Sequence, residues 1–274
     1  MRLTLPAIAV ILVLTGGCMT YAPRDYEPGP TPVSRTETSS GAVRPLLVAH
    51  RCGSGLGPEN TCNAVVQSSF YRPDYFEFDL RHTADGVPVC MHDATIDRTT
   101  DLSGPVAELT WEFLQDADAG SWFASTASGE PIPSFETMLD CVNPSHLAIE
   151  IKEPEITLVQ CNAIAGLLND RDDDSSVILS FHRSALETFG EADPSRRTCF
   201  LTLELNEYSL TGPHEIIGLL ASECTEDAVD RIHDAGKAVW VWTVNENFDR
   251  YIQMRVDGIV SDYPDRLRNA LPPS

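Results

Sequence analysis

Short apolar runs alternate with polar, helix-forming stretches from residue 45 to the end of the chain. Runs with the length and composition of buried strands lie at 46–51, 75–81, 87–92, 146–151, 176–181, 198–204, 215–221, 237–243 and 257–261. Helical patterns follow at 134–141, 156–169, 183–190, 225–235 and 246–254. Asn60 is predicted to cap an earlier helix. Because strands and helices alternate, the pattern predicts a parallel sheet.

Roughly eight strands spread over about 225 residues favour a closed (β/α)8 TIM barrel over an open sheet. The stretch 93–133, between the third and fourth runs, is longer and less regular than the other connections. A connection of that kind is typical of a functional insertion. We therefore expect residues 45–270 to form one barrel, with a small insertion after the third strand that covers the active-site face.

Ionisable residues stand where several of these apolar runs end. They are His50, Arg51, Glu77, Asp79, His92, Glu150 and Lys152. In a parallel barrel the carboxyl ends of the strands meet at one face, and that face carries the active site. Because a buried strand has no structural need for charge, we expect these side chains to be paired with one another or bound to a metal.

The three carboxylates indicate a site for a metal ion. Glu77 and Asp79 are two residues apart on a strand, so their side chains point to one face. Glu150 ends another strand. Carboxylate oxygens without thiolates suit a hard divalent cation, so the predicted cofactor is one Ca²⁺ or Mg²⁺ ion.

The histidines and basic residues indicate chemistry on a phosphate. His50 and His92, on either side of a cation-bound phosphate, would serve as general acid and general base. Arg51 and Lys152 would neutralise the phosphate oxygens. The other histidines are interpreted as hydrogen-bonded structural residues, except His182, which stays open; the structural set is His82, His146, His214 and His233.

Composition narrows the class of partner. The chain has 274 residues, 42% of them hydrophobic, and a formal net charge of −22 at pH 7. Its length and hydrophobic content allow one large domain with a sizeable core. The strong negative charge argues against nucleic-acid binding and against electrostatic docking on anionic lipid. The charge says little else about partners, because a solvated acidic face is its usual explanation.

The first residues have the pattern of an export signal. Residues 1–18 contain Arg2, an apolar stretch over 3–14, and small residues before Cys18. This stretch is shorter than the ~20 residues that span a bilayer, which favours a signal peptide. Its end resembles a bacterial lipobox, although Thr15 stands where leucine is usual. Cys18 is therefore predicted to become the lipidated N-terminus.

Residues 19–44 are rich in proline, serine, threonine and glycine, which predicts a flexible tether rather than a domain. Together with the leader, this predicts an exported lipoprotein of the bacterial cell envelope. Met19, rather than aspartate, follows Cys18, which in a Gram-negative cell points to the outer membrane. Ordinary cleavage, giving a soluble secreted protein, is the alternative.

A set of motifs, taken in order, resembles the glycerophosphodiester phosphodiesterase family. The motifs are HRCGSGLGPENT, EFDLRHTADGVPVCMHD, the RTT and DAGSWF of the insertion, IPSFETML, IEIK, VWTVN and DGIVSDYP. The resemblance covers about residues 45–268 and therefore the whole predicted barrel. It implies a TIM barrel that hydrolyses glycerophosphodiesters to glycerol 3-phosphate and an alcohol.

The resemblance also implies roles for individual residues. His50 and His92 would be the acid–base pair, and Arg51 and Lys152 would contact phosphate. Glu59 would support the first loop, and Trp242 would line the glycerol side of the pocket. The metal would be held by Glu77, Asp79 and Glu150.

One departure from the family concerns the cysteines. The family's HRG is HRC here, with Cys52 in place of glycine and Gly53 following. Cys62 lies ten residues further on, near the start of the first helix. A loop that short returns to the same face of the barrel, so we expect a Cys52–Cys62 disulfide in an oxidising compartment. Two unpaired thiols are the alternative.

Two other functions stay open at this point. A related lipid phosphodiesterase, or a sphingomyelinase-D-like lyase on a similar barrel, would let a substrate hydroxyl attack phosphorus and give a cyclic phosphate. A non-catalytic envelope lipoprotein, binding phosphodiesters or acting as an adhesin, would not need the histidines. The intact PENT, HD and WTVN motifs favour the hydrolase over both.

Overall fold

The computed structural model describes residues 35–37, 43–142, 145–171 and 175–272. The predicted signal peptide, Cys18 and the tether up to residue 34 lie outside the described residues. Two short strands, β1 (Thr36–Glu37) and β2 (Val43–Arg44), form an antiparallel pair ahead of the main domain. Within the described ranges, no helix combines the length and the apolar composition needed to cross a bilayer.

Parallel strands form a closed barrel, as predicted. The barrel strands are β3 (Leu46–Ala49), β4 (Tyr75–His82), β6 (His146–Ile151), β7 (Val177–Ser180), β8 (Arg197–Thr202), β9 (Ile216–Leu220), β10 (Ala238–Trp242) and β11 (Gly258–Ser261). Their order in the sheet is β3-β11-β10-β9-β8-β7-β6-β4, and pairing of β3 with β4 closes the ring. The carboxyl ends of all these strands therefore meet at one face.

The third predicted run is a strand, but it is not part of the barrel. Its strand β5 (Pro88–Cys90) pairs antiparallel with the end of β4. The intervening turn is tight, with a hydrogen bond from Thr83 N to Val87 O of 3.0 Å, and Gly86 has a φ of 82°. A parallel partner would need a long crossover connection. The insertion therefore follows the second barrel strand, β4, and begins before residue 93.

Helices connect the barrel strands on the outside. They are α1 (Cys62–Ser69), α2 (Trp111–Leu114), α3 (Phe135–Val142), α4 (Leu158–Asn169), α5 (Arg183–Ala192), α6 (Glu207–Thr211), α7 (Glu226–Asp234), α8 (Phe248–Gln253) and α9 (Pro264–Ala270). The hydrophobic pattern predicted α3, α4, α5, α7 and α8. The short helices α2 and α6 and the C-terminal α9 were not predicted.

The start of α1 differs from the prediction. Thr61, not Asn60, caps this helix, because its Oγ1 accepts a hydrogen bond of 3.3 Å from Ala64 N. Asn60 has a left-handed φ of 59°. Its side chain donates to Asp79 Oδ2 at 2.8 Å and accepts from Asp79 N at 3.0 Å. The residue predicted to cap a helix instead holds one of the candidate metal ligands.

Alternate side chains of the strands fill two apolar layers, as the pleat of a strand requires. On β3, Leu46 and Val48 belong to the cluster inside the barrel, whereas Leu47 belongs to the layer under the helices. Inside, the Trp240 ring contacts the Tyr75 ring edge-on, with 5.1 Å between ring centroids. This packing fills the interior below the carboxyl ends of the strands.

The insertion has a small core of its own. Buried apolar side chains from β5, α2 and the loops around them form this cluster: Val89, Met91, Ile96, Val106, Leu114, Ala117, Ala119 and Ile132. Asp118 fixes one of the loops by accepting hydrogen bonds from Gly120 N, Ser121 N and Gly129 N, all within 2.9 Å. The insertion is therefore an ordered part of the domain.

The disulfide joins Cys62 to Cys141, so the predicted Cys52–Cys62 pairing is wrong. Cys62 begins α1, Cys141 lies in the last turn of α3, and their Cα atoms are 5.5 Å apart. Cys52 is fully buried, and its Sγ lies 3.9 Å from Met138 Sδ. Spacing along the chain does not give the direction of a side chain. The left-handed turn at Cys52, with a φ of 64°, carries its thiol into the core instead.

We expect Cys141→Ser to lower the free energy of unfolding by about 2–5 kcal/mol, the usual cost of losing a native disulfide. A cross-link over a sequence separation of 79 constrains a large part of the unfolded chain. Thermal melts with and without reductant measure the effect. Reductant should lower the Tm of the natural protein but not that of Cys141→Ser. Recovery of a Cys52–Cys62 peptide from a non-reducing digest would contradict the assignment.

Candidate active site

A pocket that opens to solvent lies at the carboxyl ends of the barrel strands. From the predicted set, its walls contain His50, Arg51, Glu77, His92, Glu150, Lys152 and Trp242. The other two predicted residues lie next to this lining. Asp79 completes the carboxylate cluster, and Glu59 contacts the Arg51 guanidinium. The fold therefore brings together all the residues predicted for metal, phosphate and proton transfer.

The three carboxylates form a compact, buried cluster. Glu77 and Asp79 lie on β4, and the strand register places Asp79 beside Glu150 of β6. The exposed fractions of the three residues are 2%, 1% and 7%. One oxygen from each lies within 4.8 Å of the others. This oxygen-only donor set fits a hard divalent cation.

The cluster carries more negative charge than it can hold at neutral pH. Burial, followed by the charges of Asp79 and Glu150, raises the pKa of Glu77 well above its ordinary value. Burial and the charge of Asp79 raise the pKa of Glu150 to about 7. A cation among these oxygens would replace the protons that the carboxyl groups otherwise retain.

Asp79 is the carboxylate that stays ionised. Burial opposes ionisation, but the nearby charges of Lys152, Arg51 and His92 and the hydrogen bond from Asn60 lower the pKa of Asp79 to about 2. Lys152 Nζ lies 3.4 Å from Asp79 Oδ1 and 2.7 Å from Glu150 Oε1. Asp79 Oδ1 is buried and makes no hydrogen bond. An oxygen of this kind is a suitable ligand for a cation.

His50 is fixed by a carboxylate from the far end of the chain. Its Nδ1 lies 2.5 Å from Asp262 Oδ1. Asp262 also accepts hydrogen bonds from Ser54 Oγ at 2.7 Å and from Asn245 Nδ2 at 2.6 Å. Against the effect of burial, these bonds lower the pKa of Asp262 far below its ordinary value. The anion holds the imidazole with Nε2 left for a substrate.

His92 is fixed in a similar way by its neighbour in the sequence. Its Nδ1 lies 2.7 Å from Asp93 Oδ1. Its backbone carbonyl accepts hydrogen bonds from Arg81 Nε at 3.0 Å and Nη2 at 2.9 Å. Burial, together with the charges of Arg51 and Lys152, lowers the pKa of His92, although Asp79 acts in the opposite direction. The lowered pKa favours the neutral form of the ring.

Arg51 and Cys52 lie in a strained turn at the end of β3. Their φ values are 49° and 64°, and that of Gly53 is 94°. A left-handed residue other than glycine costs on the order of 1 kcal/mol. The turn brings Arg51 N to 2.6 Å from Glu77 Oε2 and Arg51 Nη1 to 3.0 Å from Glu59 Oε1. The conformation at position 52 accounts for the glycine that the resemblance predicts there.

The opposite wall of the pocket is apolar. Trp242 donates from Nε1 to Gly218 O at 3.2 Å, which fixes its indole ring. The Phe181 ring meets it edge-on, with centroids 5.4 Å apart. Leu179 and Leu201 complete this wall. The pocket thus joins a charged half to an apolar half, an arrangement suited to a small molecule with an anionic end and a carbon skeleton.

Several residues of the site were not predicted from the sequence. They are Asp93, Arg98, Phe181, Asn245 and Asp262. Asp262 directly follows β11, so the rule that found the other strand-end residues could also have found it. The histidines interpreted as structural have polar partners in the structure: Glu153 for His82, Ser175 for His146, Thr198 and Tyr208 for His214, and Asp257 for His233.

Fold and site together define the class, a (β/α)8-barrel enzyme with acidic, basic and imidazole groups gathered in one pocket. Residues 50–266 match the model of the glycerophosphoryl diester phosphodiesterase family. This match takes in every residue of the pocket. The chain therefore belongs to that family, and it is a glycerophosphodiester phosphodiesterase with a small-molecule glycerophosphodiester substrate.

Several known proteins are similar to the chain in sequence or in fold. The chain is 30% identical over 263 residues to a glycerophosphodiester phosphodiesterase of Bacillus subtilis (strain 168), with 86% of this chain and 90% of that protein covered. A crystal structure of a glycerophosphodiester phosphodiesterase from Agrobacterium tumefaciens has a TM-score of 0.70 at 26% identity, covering 82% of this chain and 99% of that one. An Oleispira antarctica phosphodiesterase, solved with the product sn-glycerol-3-phosphate, has the same fold, with a TM-score of 0.77 at 24% identity and coverage of 83% and 96%.

Proposed function

We propose that the chain hydrolyses glycerophosphodiesters to glycerol 3-phosphate and an alcohol, with His50 and His92 as the acid–base pair and a divalent cation on the carboxylate cluster. One observation carries this proposal. Both histidines line the same pocket, and the Nδ1 of each is bound to a carboxylate, at 2.5 Å for His50 and 2.7 Å for His92. A hydrogen-bonded Nδ1 fixes the tautomer and leaves Nε2 to exchange a proton with the substrate.

The environments of the two histidines favour different roles. His92, whose pKa is lowered, suits the base that takes a proton from the water that attacks phosphorus. His50 suits the acid that gives a proton to the departing alcohol oxygen. The Asp262 carboxylate beside it balances the positive charge of the protonated ring. Each histidine then exchanges its proton while a fixed carboxylate holds the other side of the ring. Because these carboxylates are already in place, the site needs little rearrangement during the reaction.

Arg51 and Lys152 are the groups proposed to bind the phosphate oxygens. Both line the pocket beside the carboxylate cluster, and both are held by carboxylates rather than left to move. A bound Ca²⁺ or Mg²⁺ ion would add positive charge against the developing charge on phosphorus-bound oxygens. The donor set is equally suited to either ion, because each prefers carboxylate oxygens.

The apolar wall is proposed to receive the glycerol carbons. The family resemblance implies that Trp242 makes this contact. The Phe181 ring packs edge-on against the Trp242 indole and supports it. The structurally similar Oleispira antarctica phosphodiesterase was solved with the product sn-glycerol-3-phosphate, which supports glycerol 3-phosphate as the product here. The alcohol would then leave through the open side of the pocket.

We also propose that the mature protein is exported and tethered by lipid on Cys18, with residues 19–44 as a flexible spacer. The support is the sequence alone: a short apolar leader, small residues before the cysteine, and a polar, proline-rich segment after it. In a Gram-negative cell the expected place is the periplasmic side of the envelope. Secretion without lipid is the alternative.

A turnover screen tests the reaction itself. Glycerophosphocholine, -ethanolamine, -inositol and -glycerol are supplied with and without chelator, and the phosphorus product is identified by NMR. Free glycerol 3-phosphate is the expected product. Accumulation of a cyclic phosphate as the final product would instead support the lyase alternative, and absence of turnover on all four would contradict the hydrolase.

Removal of divalent ions is expected to abolish turnover, and Ca²⁺ or Mg²⁺ to restore it. Without a cation, the buried carboxyl groups retain protons. Because the pKa of Glu150 is raised to about 7, cation affinity should fall as the pH drops below about 7, and binding should release protons. Calorimetry in buffers of different ionisation enthalpy measures this release. Full turnover after exhaustive EDTA treatment would contradict the metal site.

His50→Ala and His92→Ala are each expected to lower kcat by about 10²–10⁴-fold, the usual contribution of a general acid or base. His233→Ala is the matched control, since His233 pairs with Asp257 and does not line the pocket. The control should lose stability without a comparable loss in kcat. A fall in Tm with an unchanged rate for either of the first two variants would return that histidine to a structural role.

Trp242→Ala is expected to raise KM more than it lowers kcat, because its proposed contact is with glycerol carbons rather than with the transferred proton. Trp122→Ala is the control, since this tryptophan is 39% exposed and does not line the pocket. Steady-state kinetics on the preferred substrate measure both constants. A loss confined to kcat would argue against the assigned glycerol side.

Cys18→Ser is expected to release the protein from membranes, because the serine cannot carry the thioether-linked lipid. Fractionation of cells and labelling with a fatty-acid analogue measure the attachment. The natural protein should incorporate label and sediment with membranes. A Cys18→Ser protein that still sediments with membranes would rule out this anchor.

A further inference from the structure

We propose that Arg98, in the insertion, is a positioning residue that fixes the His92 ring for proton transfer through Asp93. This inference rests on the proposed role of His92. Arg98 does not line the pocket, so it acts on the reaction only through the groups that it holds. The insertion would then be a working part of the acid–base machinery.

The connection from Arg98 to the imidazole is continuous. Arg98 Nε donates to Asp93 Oδ2 at 2.6 Å, and the other oxygen of the same carboxylate, Oδ1, lies 2.7 Å from His92 Nδ1. The hydrogen bond from Arg98, with a further contribution from His92, lowers the pKa of Asp93 to about 2. Asp93 therefore stays ionised and is held from both sides.

Arg98 is itself anchored on a buried group. Its Nη1 donates to Glu59 Oε2 at 2.9 Å, and its Nη2 donates to Glu59 Oε1 at 2.7 Å. Only 8% of the Glu59 side chain is exposed. Against the effect of burial, the hydrogen bond from Arg98 and the charge of Arg51 lower the pKa of Glu59. The two-point contact leaves the guanidinium one orientation, with Nε directed at Asp93.

An isolated ion pair on the surface would contribute little to such a task. The Arg98 side chain is 45% exposed, and exposed pairs are worth about 0–1 kcal/mol. Three charge-assisted hydrogen bonds from one rigid fork to two carboxylates form a network instead. Asp93 alone, with 32% of its side chain exposed, would be free to turn towards water. Arg98 supplies the second point that fixes it.

The network predicts a loss in kcat with little change in KM. His92 is already held at its backbone by Arg81, so loss of Arg98 frees only the ring. Arg51 keeps its own hydrogen bond of 3.0 Å to Glu59 when Arg98 is removed. Phosphate binding should therefore persist while the proton acceptor loses its orientation. Loss of an outer residue that orients a metal ligand typically lowers metal affinity or activity about 10–100-fold, and we expect a loss of similar size in kcat here.

The test compares Arg98→Gln, Arg98→Lys, His92→Ala and the double variant His92→Ala/Arg98→Gln in steady-state kinetics, with Tm measured for each. Arg98→Gln should lower kcat about 10–100-fold with KM changed less than about threefold. Arg98→Lys, which keeps the charge but not the fork, should fall between it and the natural protein. Arg255→Gln, which removes an exposed ion pair of 3.3 Å to Asp230 before β11, is the matched control.

The double variant separates the two hypotheses. If Arg98 acts through His92, adding Arg98→Gln to His92→Ala should cause no further loss in kcat. An equal further loss, or an unchanged kcat in Arg98→Gln while His92→Ala is impaired, would overturn the role of Arg98 and leave the proposed function intact. An unimpaired His92→Ala would instead overturn the acid–base assignment. A kcat loss in Arg98→Gln that follows Tm, with full activity in Arg98→Lys, would overturn positioning in favour of stability.

Discussion

Three carboxylates buried within 4.8 Å of one another are the constraint on which the rest of the site depends. A buried ion costs several kcal/mol unless it is compensated, and mutual repulsion adds to that cost. Lys152 and Arg51 supply positive charge beside Asp79, and Lys152 also contacts Glu150. Arg51 is shared with Glu59, so the cations do not balance the anions. The remaining negative charge favours a bound cation at this place in the barrel.

The same constraint accounts for strained backbone at the end of β3. To compensate the cluster, the Arg51 amide must donate to Glu77 while its side chain reaches Asp79 and Glu59. In an ordinary extended strand end the Arg51 amide and side chain could not reach these partners together. The left-handed conformation of Arg51 and Cys52 allows both contacts. Cys52 then turns into the core, where its burial against Met138 helps to offset the strain. A position that serves charge compensation is therefore also a packing position.

The sequence predicted the features that depend on hydrophobic periodicity and on strand ends. It did not predict features that depend on the direction of a side chain or of a strand. Ionisable residues at or near the ends of apolar runs identified the carboxylates, His50 and Lys152, because a parallel barrel gathers strand ends by construction. The same pattern identified His92, although His92 follows β5, which pairs antiparallel with β4 and lies outside the barrel. The same rule covers Asp262, but its contact with His50 spans 212 positions and follows only from closure of the barrel. The Cys52–Cys62 pairing and the barrel role of residues 87–92 were wrong, since spacing and hydrophobicity do not give side-chain direction or strand polarity.

The two histidines depend on the fold in different ways. His50 and Asp262 follow β3 and β11, the strands whose parallel pairing joins the two ends of the domain. The His50 ring is therefore oriented only when the whole barrel is closed. His92, Asp93 and Arg98 lie within one short segment of the insertion, and Glu59 ties that segment to the first loop. Since local segments open more easily than a closed barrel, His92 is the partner whose geometry needs an added brace. The ion pairs of Arg98 with Asp93 and Glu59 hold this segment in place.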